Sequence, residues 1–212
     1  TAGFNVKKAF ISVGGIGLSS HTATGSIMIS RADNEITELD IEKVLEETQK
    51  SIPQTISINK RVVHNIPIQF SIDGKKVLGS NPIGMKGVKL EATVLFIFSL
   101  EHHLAELIQA VEDSGIEIAD VMASPVAASL VSLTKAEKIA GVVLANIGSE
   151  TVSIVVHEDG IPISLEVFPI GSNDITNDIA LGLQVSLEEA ELIKTEFEIG
   201  AMPIKHPRKK LE

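Results

Sequence analysis

The chain has no cysteine, no tryptophan and no tyrosine among its 212 residues. Without thiols it has no disulfides, no thiolate metal sites and no cysteine nucleophile. Aromatic content is 3%, all of it phenylalanine, and the formal net charge is -10, with 28 acidic residues against 18 basic. Nucleic-acid binding normally needs a basic footprint and stacking side chains, so the composition argues against such a partner. No apolar run approaches the ~18 residues of a membrane-spanning helix, and the N-terminus lacks the charged-then-apolar pattern of a secretory signal. A cytoplasmic, soluble chain is the expectation. What is present is ample apolar material: 44% hydrophobic residues over a length suited to one large domain or two small ones.

The most informative stretch runs from Gly141 to Ala180. The apolar run GVVLANIG turns at Gly148, a second run, TVSIVV, turns at Asp159-Gly160, and a third, IPISLEVFPIG, leads into the polar cluster SNDITNDIA. Alternation of Val152, Ile154 and Val156 with Thr151, Ser153 and Val155 is a strand signal, and Asp-Gly between two such runs marks a hairpin. The expectation is a β-meander feeding a helix. In its first turn, Asn146-Ile147-Gly148-Ser149-Glu150-Thr151, glycine and hydroxyl residues follow a strand, a composition that can point backbone N–H groups at an anion such as phosphate.

Elsewhere the chain opens on a strand, VKKAFISVG, that has no earlier element to pair with, which suggests missing sequence upstream. Val13-Gly14-Gly15-Ile16-Gly17 has neither the spacing nor the lysine of a P-loop and reads as a chain reversal. After a short strand, GSIMIS, Thr37 with Asp40 three positions later announces a helix, and Leu39, Ile41, Val44 and Leu45 form its apolar stripe. Strands follow around RVVHNIPIQF and EATVLFIF. A helix with Leu104, Leu107, Ile108 and Val111 on one face stops at Gly115, then come the strand IEIADVMA and the helix PVAASLVSL. Thr134 with Glu137, and Ser186 with Glu189, open two further helices. The tail from Lys205 to Lys210 is basic and proline-broken, which suits a solvated linker, and Leu211-Glu212 closes the chain.

The meander resembles the second phosphate hairpin of the actin-like ATPases, and the surrounding text resembles one branch, the bacterial cell division protein FtsA family. The residues that carry this are RVVHNIPIQFSIDG (Arg61 to Gly74), NPIGMKGVKLEA (Asn81 to Ala92), VMASPVAASLVSLTKAEKIAGVVLANIG (Val121 to Gly148), VFPIGSNDITNDIA (Val167 to Ala180) and AELIK (Ala190 to Lys194). The resemblance implies an α/β chain: part of an actin-like, ribonuclease H-like fold with a small α+β strand-helix-strand-strand subdomain of SHS2 type inserted. It implies that residues 1–14 end a first-lobe sheet, 15–98 form the insert, 99–135 return to the first lobe, 136–204 begin the second lobe, and 205–212 are the tail. The first phosphate loop and the adenosine loop of such folds are not found here, so the chain is expected to be an internal fragment.

The implied role is a cytoskeletal scaffold that polymerises at the inner face of the cell membrane, anchors the FtsZ ring and recruits later division proteins. The insert would carry self-association and partner recruitment, with membrane attachment through a segment outside this chain. ATP and magnesium are implied for the intact protein, with no catalytic residues or metal ligands here and no cofactor expected in the fragment. The implied nucleotide contacts are Asn146, Gly148, Ser149, Glu150, Thr151, Glu191 and Lys194. A superfamily ATPase or sugar kinase, and a pilus-assembly adaptor of the same family, are the alternatives.

Departures from the family pattern bear on chemistry. Asn146 stands where an aspartate usually helps hold the water shell of magnesium, Ser149-Glu150 replaces a Gly-Gly pair, and Ser153 replaces another aspartate. One unit charge near a cation is worth ~4 kcal/mol at close range with an effective dielectric near 20. Weak binding with little turnover is therefore expected, although Asn146 can equally be a residue that ends a strand. Glu191 and Lys194 share a helix face and suit either a ribose contact or a surface ion pair. Asp174, Thr176 and Asp178 are expected to cap the helix they open. His102 and His103 are adjacent and cannot chelate one metal as an i, i+4 pair would, and His64, His157 and His206 are scattered.

Overall fold

A computed structural model of the chain describes residues 6–79 and 81–196. The expected basic tail with His206 and Leu211-Glu212, and the opening Thr1-Ala2-Gly3, lie outside the described residues. In chain order come β1 (Lys8–Val13), β2 (Leu18–Met28), α1 (Glu38–Lys50), α2 (Gln54–Ser57), β3 (Lys60–Ile72), β4 (Lys75–Lys76) and β5 (Lys89–Leu100). They are followed by α3 (Glu101–Asp113), β6 (Glu117–Ala123), α4 (Ser124–Ser132), α5 (Lys135–Ala140), β7 (Val142–Ile147), β8 (Val152–Glu158), β9 (Ile161–Phe168), α6 (Ser172–Leu183) and α7 (Leu187–Glu196). The chain divides into two compact bodies, Thr1–Asn146 with Ser153–Phe168, and Ile147–Val152 with Pro169–Glu212.

Three sheets form, with strand orders β1-β6, β2-β5-β3-β4 and β7-β8-β9. The first gives the opening strand a partner that comes later in the chain. β1 runs parallel to β6, with Lys8 opposite Glu117 and Val13 opposite Ala123. Parallel strands are joined by long crossovers, and here the crossover contains a whole sheet, so local pattern could not reveal the partner. Between β1 and β2 the chain reverses at Gly15, φ 83°, where Leu18 N–H donates to Gly15 O at 3.1 Å. Asp159 (φ 50°) with Gly160 (φ 87°) makes the expected hairpin turn between β8 and β9. Asp73 (φ 49°) with Gly74 (φ 78°) makes another, which adds the unforeseen strand β4. Positive φ at both central positions gives the turn a twist that matches the flanking strands.

The core is organised by β5. Leu90, Ala92, Val94, Phe96 and Phe98 point into one cluster with Val44 of α1 and Phe70 and Ile72 of β3. Leu95 and Ile97 point the other way, into a second cluster with Val13, Leu104, Ala123, Val126, Val155 and Leu165. A strand's side chains alternate between faces, so the change from alternating KLEATV to unbroken VLFIF marks where the second face becomes covered. Phe96 and Phe98 lie on the same face with ring centroids 6.4 Å apart.

Helix α1 starts as its sequence predicts: the buried Asp40 carboxylate accepts the Thr37 N–H at 2.9 Å and the Thr37 hydroxyl at 2.7 Å. These bonds, the hydroxyl first, hold the Asp40 pKa below the usual carboxylate range despite burial. The helix lies close on β2 at Gly25, where an added Cβ would sit 2.6 Å from Thr48 Cα. Gly25→Ala should therefore destabilise the fold by about 1–3 kcal/mol through overpacking. Gly182→Ala on α6, where nothing lies within 4 Å of the new methyl, should be neutral or stabilising by up to ~1 kcal/mol. Urea denaturation of both variants checks the contrast.

Two histidines are structural. His64 Nε2 accepts the Ala123 N–H at 3.0 Å, tying β3 to the end of β6. Ser129 Oγ donates to Val126 O at 2.7 Å, which leaves its oxygen to accept from His157 Nε2 at 3.3 Å. The bond His64 accepts requires its Nε2 to be unprotonated, and burial, the leading cause in each, lowers the pKa of both imidazoles. A depressed folded pKa contributes stability that is full above about 6.5 and is lost as pH falls through the folded value. The urea midpoint should therefore drop between pH 7.5 and pH 5.5, and His64→Gln, which keeps an acceptor but does not titrate, should shrink that drop.

Candidate functional site

The turn between β7 and β8 closes on itself: Gly148 N–H donates to Thr151 O at 2.9 Å. A Cβ on Gly148 would lie 3.1 Å from that oxygen, so the close approach needs glycine. The start of α6 docks on the same turn. Ser172 N–H donates to Gly148 O and Asn173 N–H to Ser149 O, both at 2.9 Å. Gly171 makes the docking possible, since a Cβ there would lie 2.6 Å from Glu150 N.

This packing divides the turn's polar groups. The carbonyls of Gly148 and Ser149 are occupied by α6 and that of Thr151 by the Gly148 N–H, while the N–H groups of Ser149, Glu150 and Thr151 have no protein acceptor among the described residues. Successive unpartnered N–H groups in a turn form a small anion-binding concavity. The helix start adds little, because Ser172 and Asn173 already donate to the turn, and the Gly171 N–H is taken by Asp174 Oδ2 at 2.7 Å. The Glu150 carboxylate is exposed on the turn. The turn thus presents three backbone N–H groups without a protein acceptor among the described residues, with one carboxylate beside them.

Helix α6 also joins the turn to the second group of expected residues. Lys194 Nζ lies 2.6 Å from Glu191 Oε2 and donates to Thr176 Oγ1 at 2.8 Å and to Ser172 O at 3.3 Å. Thr176 Oγ1 in turn donates to Glu191 Oε2 at 2.7 Å. The ammonium's three protons thus have three protein partners, and its side chain is 16% exposed against 49% for Glu191. Lys194, then Thr176, hold the Glu191 pKa below the usual carboxylate range. Glu191 faces a cleft of about 740 Å³ shared with Asn173, Thr176, Asn177, Leu187 and Leu192.

Thr176 is not the expected cap. It is buried and links α6 to α7 by side-chain bonds, a role set by residues 15 and 18 positions away that no local pattern reveals. Asp174 does cap, and Asp178 is exposed beside Ile175 and Ile179. Asn146, at the end of β7 in the first body, is exposed, and Ser153 on β8 is buried. Among the described residues no group of three or more acidic, histidine or cysteine side chains is placed to hold a metal. None of their helices is long and apolar enough to cross a membrane.

A family model described as "Cell division protein FtsA" matches residues 143–209, and one described as "SHS2 domain inserted in FTSA" matches residues 15–98. The cell division protein FtsA of Bacillus subtilis is 36% identical over 92% of this chain and 43% of its own length. That of Pseudomonas aeruginosa is 31% identical over 92% of this chain and 46% of its length. That of Escherichia coli is 30% identical over 89% and 44%. The chain thus spans less than half the length of these relatives. Among solved structures, the PilM-PilN type IV pilus biogenesis complex superposes with a TM-score of 0.55 at 17% identity, over 84% of this chain and 48% of that one. That likeness concerns the fold alone, which is α/β and actin-like, present in part.

Lys194→Met should weaken the α6–α7 pairing by about 1–3 kcal/mol, because the buried Thr176 hydroxyl loses its cationic donor. The check is amide hydrogen exchange, with faster exchange along α6 and α7 and unchanged protection in β5.

Proposed function

The chain belongs to the FtsA family of cell division proteins, and from that premise we propose that it serves as an actin-like scaffold in which nucleotide is a structural ligand and not a substrate. The observation that carries this reading is the phosphate turn: its backbone donors are retained, but Glu150 stands among them and the α6 N-terminus is spent on the turn's own carbonyls. Three N–H groups fit a phosphate. The sequence flanking them does not favour a metal-assisted reaction, since Asn146 and Ser153 bring no charge. ATP with magnesium, when bound, would supply a polyanion and its counter-charge. The turn's N–H groups of Ser149, Glu150 and Thr151 would hold the phosphates, and Glu191 would offer the ribose an acceptor.

In the proposed role the intact protein assembles at the division septum on the inner face of the membrane, anchors the FtsZ ring and receives later division proteins. Self-association has a physical basis in the sheet β2-β5-β3-β4. β2 is an edge strand that β9 covers at Ser20, whose hydroxyl donates to Leu165 O at 2.8 Å, and β4 covers only Ser71 and Ile72 of the thirteen-residue β3. Open edges template pairing with another chain, and Pro67 on β3 restricts where that pairing can occur.

Phosphate release by the intact protein with magnesium and ATP tests the reading. Turnover should be far slower than ~1 per second, an ordinary enzyme rate, and steady hydrolysis at or above that rate contradicts the proposal. Glu150→Gly should tighten nucleotide binding about tenfold, the direction expected when a like charge leaves an anion site.

A further inference from the structure

The segment from Asp73 to Lys89 carries four lysines against one aspartate, in a chain whose net charge is -10. Three of them, Lys75, Lys76 and Lys86, rim a cleft of about 470 Å³ whose apolar lining includes Val77, Leu78 and Met85. Val77 is buried, whereas Leu78 is 99% exposed and Met85 44%. Among the described residues none of the three lysines is in an ion pair, and Glu35, opposite Lys86 in an isolated bridge, makes none with it. The one aspartate is already occupied. Asp73 accepts the Val88 N–H at 3.1 Å and the Lys89 N–H at 2.8 Å.

The cleft wall is pinned: Ile36 N–H donates to Met85 O at 2.9 Å and Gly87 N–H to Asn34 O at 3.0 Å. Its other side is the edge strand β4. Val77 N–H donates to Phe70 O at 2.9 Å, which makes Phe70–Val77 a hydrogen-bonded pair. Pairs alternate along an antiparallel ladder, so Ser71–Lys76 is a non-bonded pair and the Lys76 N–H and C=O face away from β3.

We infer that this end of the inserted sheet docks an extended acidic peptide segment of a partner protein. The segment pairs with the outward N–H and C=O of Lys76, sets an apolar side chain against Val77, Leu78 and Met85, and places carboxylates on Lys75, Lys76 and Lys86. Strand addition supplies affinity through main-chain bonds and specificity through pockets for alternate side chains. Charge complementarity selects an acidic strand, and a concave apolar floor beside a free strand edge suits a peptide better than a flat lipid surface. The inference is independent of the nucleotide reading, since it uses no residue of the second body.

The test uses the full chain and a labelled, acetylated octapeptide alternating glutamate with leucine and valine, with a lysine-for-glutamate control. Saturable binding at least tenfold tighter than the control is expected, with amide shifts in the unsubstituted chain centred on Lys75 to Leu78 and Met85 to Lys86. Combined Lys75→Glu, Lys76→Glu and Lys86→Glu should weaken binding at least tenfold, and Leu78→Ser at least threefold with the charges intact. Equal affinity for both peptides overturns the inference, as do shifts centred elsewhere or binding unchanged in the triple variant. So does co-sedimentation with phosphatidylglycerol vesicles in the absence of saturable peptide binding.

Discussion

The first body depends on one strand being buried on both faces. β5 sends Phe96 and Phe98 into the cluster under α1, and Leu95 and Ile97 into the cluster formed with β1, β6, α3 and the third sheet. The two clusters share a backbone only a strand thick, so neither can be emptied without exposing the other side of β5. Close-packed interiors do not deform gradually, and a strand pinned this way favours a single rigid arrangement. His64 on β3 adds a polar tie at the same seam, its imidazole accepting the backbone N–H of Ala123. The inserted sheet is thus built into the core of its body and does not hang from it by a linker. For the proposed scaffold this matters, because a subdomain that joined copies would have to be coupled to the rest of the chain.

In the second body the same economy of contacts explains the chemistry. The α6 N-terminus and the β7–β8 turn satisfy one another, carbonyl to N–H, at 2.9 Å. A helix start that faces a ligand would keep those donors free. Here they hold the turn in shape, and Thr176, Glu191 and Lys194 then fasten α6 to α7. The turn keeps backbone N–H groups without a protein acceptor while its surroundings are arranged for rigidity. That combination fits a bound nucleotide used as a brace and offers little to a reaction that must stabilise developing charge.

Much of this was legible in the residues. The Asp159-Gly160 turn, the capping pairs Thr37–Asp40 and Thr134–Glu137, and the stop at Gly115 are local chemistry, and each appears where its sequence places it. The unbroken VLFIF run announces double-sided burial, and the resemblance to the FtsA family rests on residues spread over most of the chain. What was not legible is long-range or cross-element. The parallel pairing of β1 with β6 spans an entire inserted sheet, and the Thr176 linkage needs two helices to meet. One local signal was passed over: Asp73-Gly74 is the same dipeptide as Asp159-Gly160 and builds the same turn. The strand it creates, β4, is two residues long, both lysines.

The central claim is that this chain is made to join copies and partners, with the nucleotide site kept as structure. Sedimentation velocity of the chain across a hundredfold range of concentration tests it most directly. The account predicts a sedimentation coefficient that rises with concentration and a rise that is suppressed when charges are placed at the exposed Thr24, Ser26 and Met28 of β2. A strict monomer at the highest concentration would contradict it.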